Sequence, residues 1–72
     1  MTYPVLIKFV NRDESFRSQL SPEQIKCVQE WARKIPASEQ LGYYSCLKKL
    51  HGEGLQLYLS SIIPEFHVEE ER

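Results

Sequence analysis

The sequence predicts a small, mainly helical domain with one N-terminal β-strand, at about residues 3–10. The three expected helices lie at about residues 22–35, 39–51 and 55–63. A strong helix-start signal, apolar residues at helical spacing in all three segments, and prolines that close two of them predict this fold class. The α+β alternative stays open: a β-α-α-β arrangement in which residues 55–60 form a second strand beside the first.

The N-terminal segment is rich in residues that favour strands. Val5, Ile7 and Phe9 are β-branched or aromatic and alternate along the chain, and the second face is apolar as well. Pro4 lacks an N–H group, which suits the start of a strand or a sheet edge. A strand that is apolar on both faces needs cover and a hydrogen-bonding partner. We therefore expect another segment or another chain to complete it.

Residues 11–20 are mostly polar, with Phe16 and Leu20 as two apolar anchors. Their spacing of four predicts a short helical turn, and Asp13 is a candidate cap for it.

The first long helix has the clearest local signal. Ser21 is a preferred N-cap residue, Pro22 fits the first helical position, and Gln24 completes a capping box. Pro36 ends the helix because it disfavours helical geometry at the residue before it. One apolar stripe follows the cap, made of Ile25, Val28, Trp31, Ala32 and Ile35.

The second helix is expected to begin at Ser38 as its cap and to end near His51, with Gly52 as a left-handed C-cap. Gly42 costs about 1 kcal/mol of helix propensity relative to alanine, which suggests that another backbone approaches it closely. The adjacent residues Tyr43 and Tyr44 point about 100° apart on a helix, so only one of them can face the core.

Residues 55–63 fit a helix better than a strand, because the helical pattern misplaces only Leu57, and Pro64 stops either element. Phe66 and Val68 then alternate with polar residues and could pair with the N-terminal strand. The acidic residues 69–72 are expected to form a solvated, frayed end.

Length and composition limit the classes of protein that the chain fits. Seventy-two residues make one domain, over residues 1–72, and a hydrophobic fraction of 42% is typical of a folded protein. Two cysteines and an apolar run that Lys8 interrupts predict a soluble cytoplasmic protein without a signal peptide or a membrane span. Residues 1–51 carry a net charge of +3 and residues 52–72 a net charge of −4. This basic excess is small for a nucleic-acid binder.

The sequence contains no motif that indicates catalysis, a cofactor or a metal. The soft metal ligands are widely spaced, unlike the close pairs of structural zinc sites, and they are Cys27, Cys46, His51 and His67. Both cysteines fall inside predicted helices, where burial raises the thiol pKa and lowers reactivity. We therefore expect no enzyme activity, no cofactor and no metal site.

The leading functional hypothesis is a non-catalytic protein-protein interaction module, such as a small accessory subunit, an adaptor or a regulator. The partner is expected to be another protein chain or a second copy of this one. A strand of that partner would pair with the apolar N-terminal strand. The candidate contact residues are Val5, Ile7, Phe9, Tyr43 and Tyr44.

The alternative is a helix-turn-helix nucleic-acid-binding protein that uses helices 22–35 and 39–51, which about three residues connect. Its candidate contact residues are Gln40, Tyr43, Lys48 and Lys49. Glu39 lies at the N-terminal end of the second helix, which would contact the nucleic acid, and its negative charge would repel the phosphates. Together with the small basic excess, this makes the alternative the weaker one.

Overall fold

The computed structural model describes residues 4–68, and within this range it contains five α-helices and no β-strand. In chain order they are α1 Val5–Arg12, α2 Glu14–Arg17, α3 Pro22–Lys34, α4 Ala37–Leu47 and α5 Gly52–Ile62. The predicted mainly helical fold class is confirmed. Helix α1 packs against α2, α3 and α4, so the chain folds around its own N-terminal helix.

The predicted N-terminal strand requires a correction, because residues 5–12 form helix α1. Residue 3 lies outside the described residues. Leu6 and Val10 are one helical turn apart and fully buried, whereas Lys8 and Arg12 are exposed. Burying a leucine or valine contributes about 1.5–3 kcal/mol each, and strand propensities differ by only about 1 kcal/mol. Burial on a helical stripe therefore outweighs the preference of the β-branched residues.

The predicted helix at residues 55–63 is confirmed by α5, and the alternative strand at residues 55–60 is wrong. Leu55 and Leu59, four residues apart, are fully buried. The residues from 64 to 68 form a turn and an irregular segment rather than a strand, and the acidic residues 69–72 lie outside the described range.

Helices α2 and α3 begin as the sequence predicts. The Asp13 carboxylate accepts a hydrogen bond from the Phe16 N–H at 2.8 Å and so caps α2. At the start of α3 the Gln24 N–H donates to the Ser21 hydroxyl at 3.2 Å, and the Ser21 N–H donates to the Gln24 side-chain oxygen at 3.0 Å. This is the predicted capping box.

Helix α4 has different ends from those predicted. It begins at Ala37, directly after the extended Pro36, so Ser38 lies inside the helix and is not its cap. It ends at Leu47, and His51 precedes α5 instead of ending α4. Gly52 has the left-handed φ of 61° that favours glycine, and its N–H donates to the side-chain oxygen of Gln19 at 2.6 Å.

One hydrophobic core lies among the helices, and each long helix contributes to it. Partly buried side chains, including Trp31, surround it. Its buried members are Leu6, Val10, Phe16, Leu20, Val28, Ala32, Leu47, Leu55, Leu59, Ile63 and Phe66.

Gln40 is a buried polar side chain, with only 3% of its surface exposed. Its side-chain oxygen accepts hydrogen bonds from the Leu6 N–H at 3.1 Å and the Ile7 N–H at 3.4 Å. Its side-chain nitrogen donates to the carbonyl oxygens of Ala32 and Ile35, each at 3.2 Å. From within α4, Gln40 therefore caps the first turn of α1, where backbone N–H groups lack intrahelical acceptors. It also donates to two carbonyl oxygens at the C-terminal end of α3.

A second amide cluster joins α3 to α5. Gln24 and Gln56 exchange hydrogen bonds through their side-chain amides, at 2.8 and 3.1 Å. The Gln24 nitrogen also donates to the His67 carbonyl at 2.8 Å, and the Gln56 nitrogen donates to the Gln19 carbonyl at 3.2 Å. These bonds connect α3 to the C-terminal segment and α5 to the segment between α2 and α3.

Replacing Gln40 with methionine keeps the side-chain volume similar and removes both the donor and the acceptor. We expect Gln40→Met to lower the free energy of unfolding by about 2–4 kcal/mol, because each buried backbone group left unpaired costs about 1–3 kcal/mol. Urea denaturation followed by circular dichroism measures this change.

The matched control is Gln29→Met, the same substitution on α3 at a half-buried side chain. It should change the free energy of unfolding by less than about 0.5 kcal/mol. Equal losses in the two variants would show that Gln40 has no special role in stability.

Candidate functional site

Helices α1 and α4 lie side by side and leave a shallow groove of about 350 Å³ open to solvent. We call it the α1/α4 groove. Its lining residues are Val5, Lys8, Phe9, Arg12, Asp13 and Tyr44. Both helices therefore contribute to its surface, which depends on how they pack.

Aromatic rings form the apolar part of the groove. The ring of Phe9 meets the ring of Tyr44 edge-on, with centroids 5.2 Å apart at 78°, and also packs on Phe16 at 5.0 Å. Both groove rings are only half buried. Because neighbouring rings hold each of them, they present a preorganised apolar surface to the solvent.

Positive charges border this aromatic surface. Lys8 and Arg12 lie one turn apart on α1, and the ammonium of Lys48 lies 5.2 Å from the centroid of the Tyr44 ring. The nearby carboxylate of Asp13 is bonded to the start of α2. Arg12 and Lys48 thus place two cations at the groove and its border, beside the one carboxylate among the described lining residues.

A second, deeper space adjoins the groove and shares Phe9 and Asp13 with it. We call it the apolar cleft, with a volume of about 220 Å³. Its apolar wall comes from Phe9, Phe16, Leu47 and Leu50, and its polar lining residues are Asp13, Ser15, Gln19, Lys48 and His51.

The structure brings together three of the five predicted partner-binding residues. Val5, Phe9 and Tyr44 line the α1/α4 groove. Ile7 packs against the core instead. Tyr43 lies elsewhere, with its ring 5.0 Å from that of Trp31 at 81°. Because residues 5–10 are helical, strand addition to them has no basis in this fold.

The predicted nucleic-acid contacts do not form one reading surface. All the hydrogen-bonding capacity of the Gln40 amide is used inside the protein, which leaves no group for an adenine edge. Tyr43 packs on Trp31. Lys48 and Lys49 are exposed, but they follow the C-terminal end of α4 rather than its N-terminal end.

Tyr43 borders a separate, wide depression of about 440 Å³ between α4 and α5, together with Gly42, Cys46 and Tyr58. Burial, and then a hydrogen bond with Cys46, raises the pKa of the Tyr58 phenol to about 12. A Cβ atom on Gly42 would meet nothing within 4 Å. The expected close approach of another backbone to Gly42 is therefore not found among the described residues.

The described residues contain no cluster of three histidine, cysteine or acidic side chains arranged for a metal ion. Burial, followed by the charges of Glu65 and Glu30, raises the pKa of the Cys27 thiol. A raised pKa keeps the thiol protonated at neutral pH and opposes nucleophilic reactivity. From residue 4 to residue 68, no helix has the length and apolar character that crossing a bilayer requires.

No protein-family model matches this chain, and comparisons with curated proteins and with solved structures find no significant similarity.

Sequence reasoning missed Lys8, Arg12 and Asp13 as lining residues of the groove. In a strand, the side chains of Lys8 and Phe9 point to opposite faces. The predicted strand therefore places the charge of Lys8 on the face opposite to the aromatic ring. The signal was present in the spacing, since Val5, Phe9 and Arg12 follow the i, i+4, i+7 pattern of one helical face.

The two cysteines should differ in reactivity. Cys46 is exposed, whereas Cys27 is half buried and has a raised thiol pKa. Limited iodoacetamide treatment at pH 8, followed by peptide mass spectrometry, should alkylate Cys46 about tenfold faster or more. Equal rates in the folded protein would contradict this placement of Cys27, and equal rates in 6 M guanidinium are the control.

Proposed function

We propose that this chain is a non-catalytic protein-protein interaction module, acting as an accessory subunit, an adaptor or a regulator, and that the α1/α4 groove is its contact surface. The observation that carries the proposal is the convergence of Val5, Phe9 and Tyr44 on one solvent-open groove with a positively charged border.

The shape and composition of the groove favour a macromolecular partner. Ligand pockets for small molecules bury most of the ligand surface in a concave site, whereas this groove is shallow. Aromatic and arginine side chains contribute strongly to binding at protein interfaces. Phe9, Tyr44 and Arg12 supply these residue types side by side.

The state of the cysteines supports a module without catalysis in a reducing compartment such as the cytoplasm. Cys27 and Cys46 are both free, as is usual for proteins that stay in such a compartment. A cysteine nucleophile needs a lowered thiol pKa, and the pKa of Cys27 is raised.

A second copy of this chain is a less suitable partner for the groove. A symmetric dimer places the same patch on both sides of the interface. Arg12 and Lys48 of both copies would then lie in the same interface, and like charges close together in an interface weaken binding.

The helix-turn-helix alternative is the weaker proposal. It needs a reading helix with free polar side chains near its N-terminal end. In α4 that end carries the acidic Glu39 and the buried, fully bonded Gln40.

The groove hypothesis can be tested with a random peptide library displayed on phage and selected on the immobilised protein. We expect the selected peptides to bind Val5→Asp at least about tenfold more weakly. The aspartate removes apolar surface that a bound peptide would cover, and burying its carboxylate under the peptide is unfavourable. Aspartate at the first position of α1 suits the helix dipole, so this variant should fold, as circular dichroism can verify.

Leu57→Asp is the matched control, because Leu57 is 54% exposed and lies on α5, away from the groove. It should change the affinity less than about twofold. Selected peptides that bind the wild type and Val5→Asp equally well would rule out the α1/α4 groove as the contact surface.

A further inference from the structure

We infer that the partner segment that occupies the α1/α4 groove is an acidic peptide with one bulky apolar side chain, which enters the adjoining apolar cleft. This inference rests on the proposed function and specifies the chemistry of the partner.

The charge of the groove selects for acidic ligands. Arg12 borders it from α1, and Lys48 borders it from the end of α4. The only acidic lining residue is Asp13, whose carboxylate is held by the Phe16 N–H. A peptide carboxylate in the groove would therefore meet cations contributed by both sides, which gives charge complementarity and faster association.

The apolar cleft selects for a single side chain. Its volume of about 220 Å³ lies below the roughly 300–1,000 Å³ of pockets for drug-sized ligands. Phe16 and Leu47 in its lining are almost completely buried, so this part of its wall belongs to the core. An apolar anchor in such a pocket is the usual centre of a protein-binding hot spot.

The groove and the cleft form one continuous surface, because Phe9 and Asp13 line both. A peptide that lies along α1 can place its acidic residues beside the cations while its anchor contacts Phe9 inside the cleft. A nucleic acid would use the cations but would leave the apolar cleft empty, so the pair of sites fits a peptide better.

The composition of the selected phage peptides tests this chemistry. Peptides whose binding depends on Val5 should contain Asp and Glu at about three times their frequency in the starting library or more, close to one Leu, Ile, Phe or Trp. Val5-dependent peptides without acidic enrichment would overturn the inference and leave the proposed function standing. An absence of Val5-dependent peptides would overturn both.

A charge-reversal pair tests the role of the cations with one selected peptide made synthetically. Lys48→Glu should weaken binding by about tenfold or more, because it replaces an attraction by a repulsion. Lys26→Glu makes the same charge change in a different depression, beside Glu23, Glu30 and Glu65, and should alter the affinity less than about twofold. Equal effects of the two variants would overturn the inference.

Three further measurements separate the peptide from other occupants. Raising the NaCl concentration from about 50 mM to about 500 mM should weaken peptide binding several-fold, because salt screens these exposed charges. A generic DNA duplex of about 20 base pairs should bind more weakly than the selected peptide at the same salt concentration. Tighter binding of the duplex would overturn the inference. A dimer of this chain in analytical ultracentrifugation that Val5→Asp abolishes would overturn it as well, because a second copy would then occupy the groove.

Discussion

The side-chain amide of Gln40 holds together three helices of this domain. Helix α1 begins after Pro4, which provides no side-chain cap, and α3 ends at Lys34, with Ile35 as its C-cap before another proline. Both ends leave backbone groups without intrahelical partners. Gln40 accepts two hydrogen bonds from the first end and donates two to the second, so one buried residue of α4 joins both ends.

The candidate binding surface follows from this arrangement. Gln40 fixes the start of α1 against α4, and the burial of Leu6 and Val10 sets the rotation of α1 about its axis. That rotation leaves Val5 and Phe9 at the edge facing α4. Tyr44 lies one helical turn after Gln40, which explains why it meets Phe9. The groove is thus a consequence of how the core packs, with no additional element needed to form it.

Local signals in the sequence predict much of this fold. The cap at Asp13, the capping box at Ser21 and the helix at residues 55–63 all depend on neighbouring residues, and all are found. Helix α1 is missed because Val5, Ile7 and Phe9 have high strand propensity, while the burial that decides the outcome comes from residues far along the chain.

The sequence predicts only part of the candidate site, for the same reason. The sequence predicts Val5, Phe9 and Tyr44 as contact residues, and the structure places them around one groove. It also predicts Gln40 as a nucleic-acid contact, whereas the structure buries that side chain. The partners of Gln40 are backbone groups up to 34 positions away, and no local pattern marks them. Gln24 also pairs its side-chain amide with that of Gln56, which lies 32 positions further along the chain. No local sequence pattern predicts this pair either.

Amide hydrogen exchange at Leu6 tests the role of Gln40 most directly. Leu6 lies in the first turn of α1, where an amide has no intrahelical acceptor and normally exchanges fast. Because its N–H donates to the buried Gln40 oxygen, we predict that it exchanges at least about 100-fold more slowly than an unprotected amide. Exchange of the Leu6 amide at the unprotected rate in the native protein would contradict the claim that Gln40 joins α1, α3 and α4 through its hydrogen bonds.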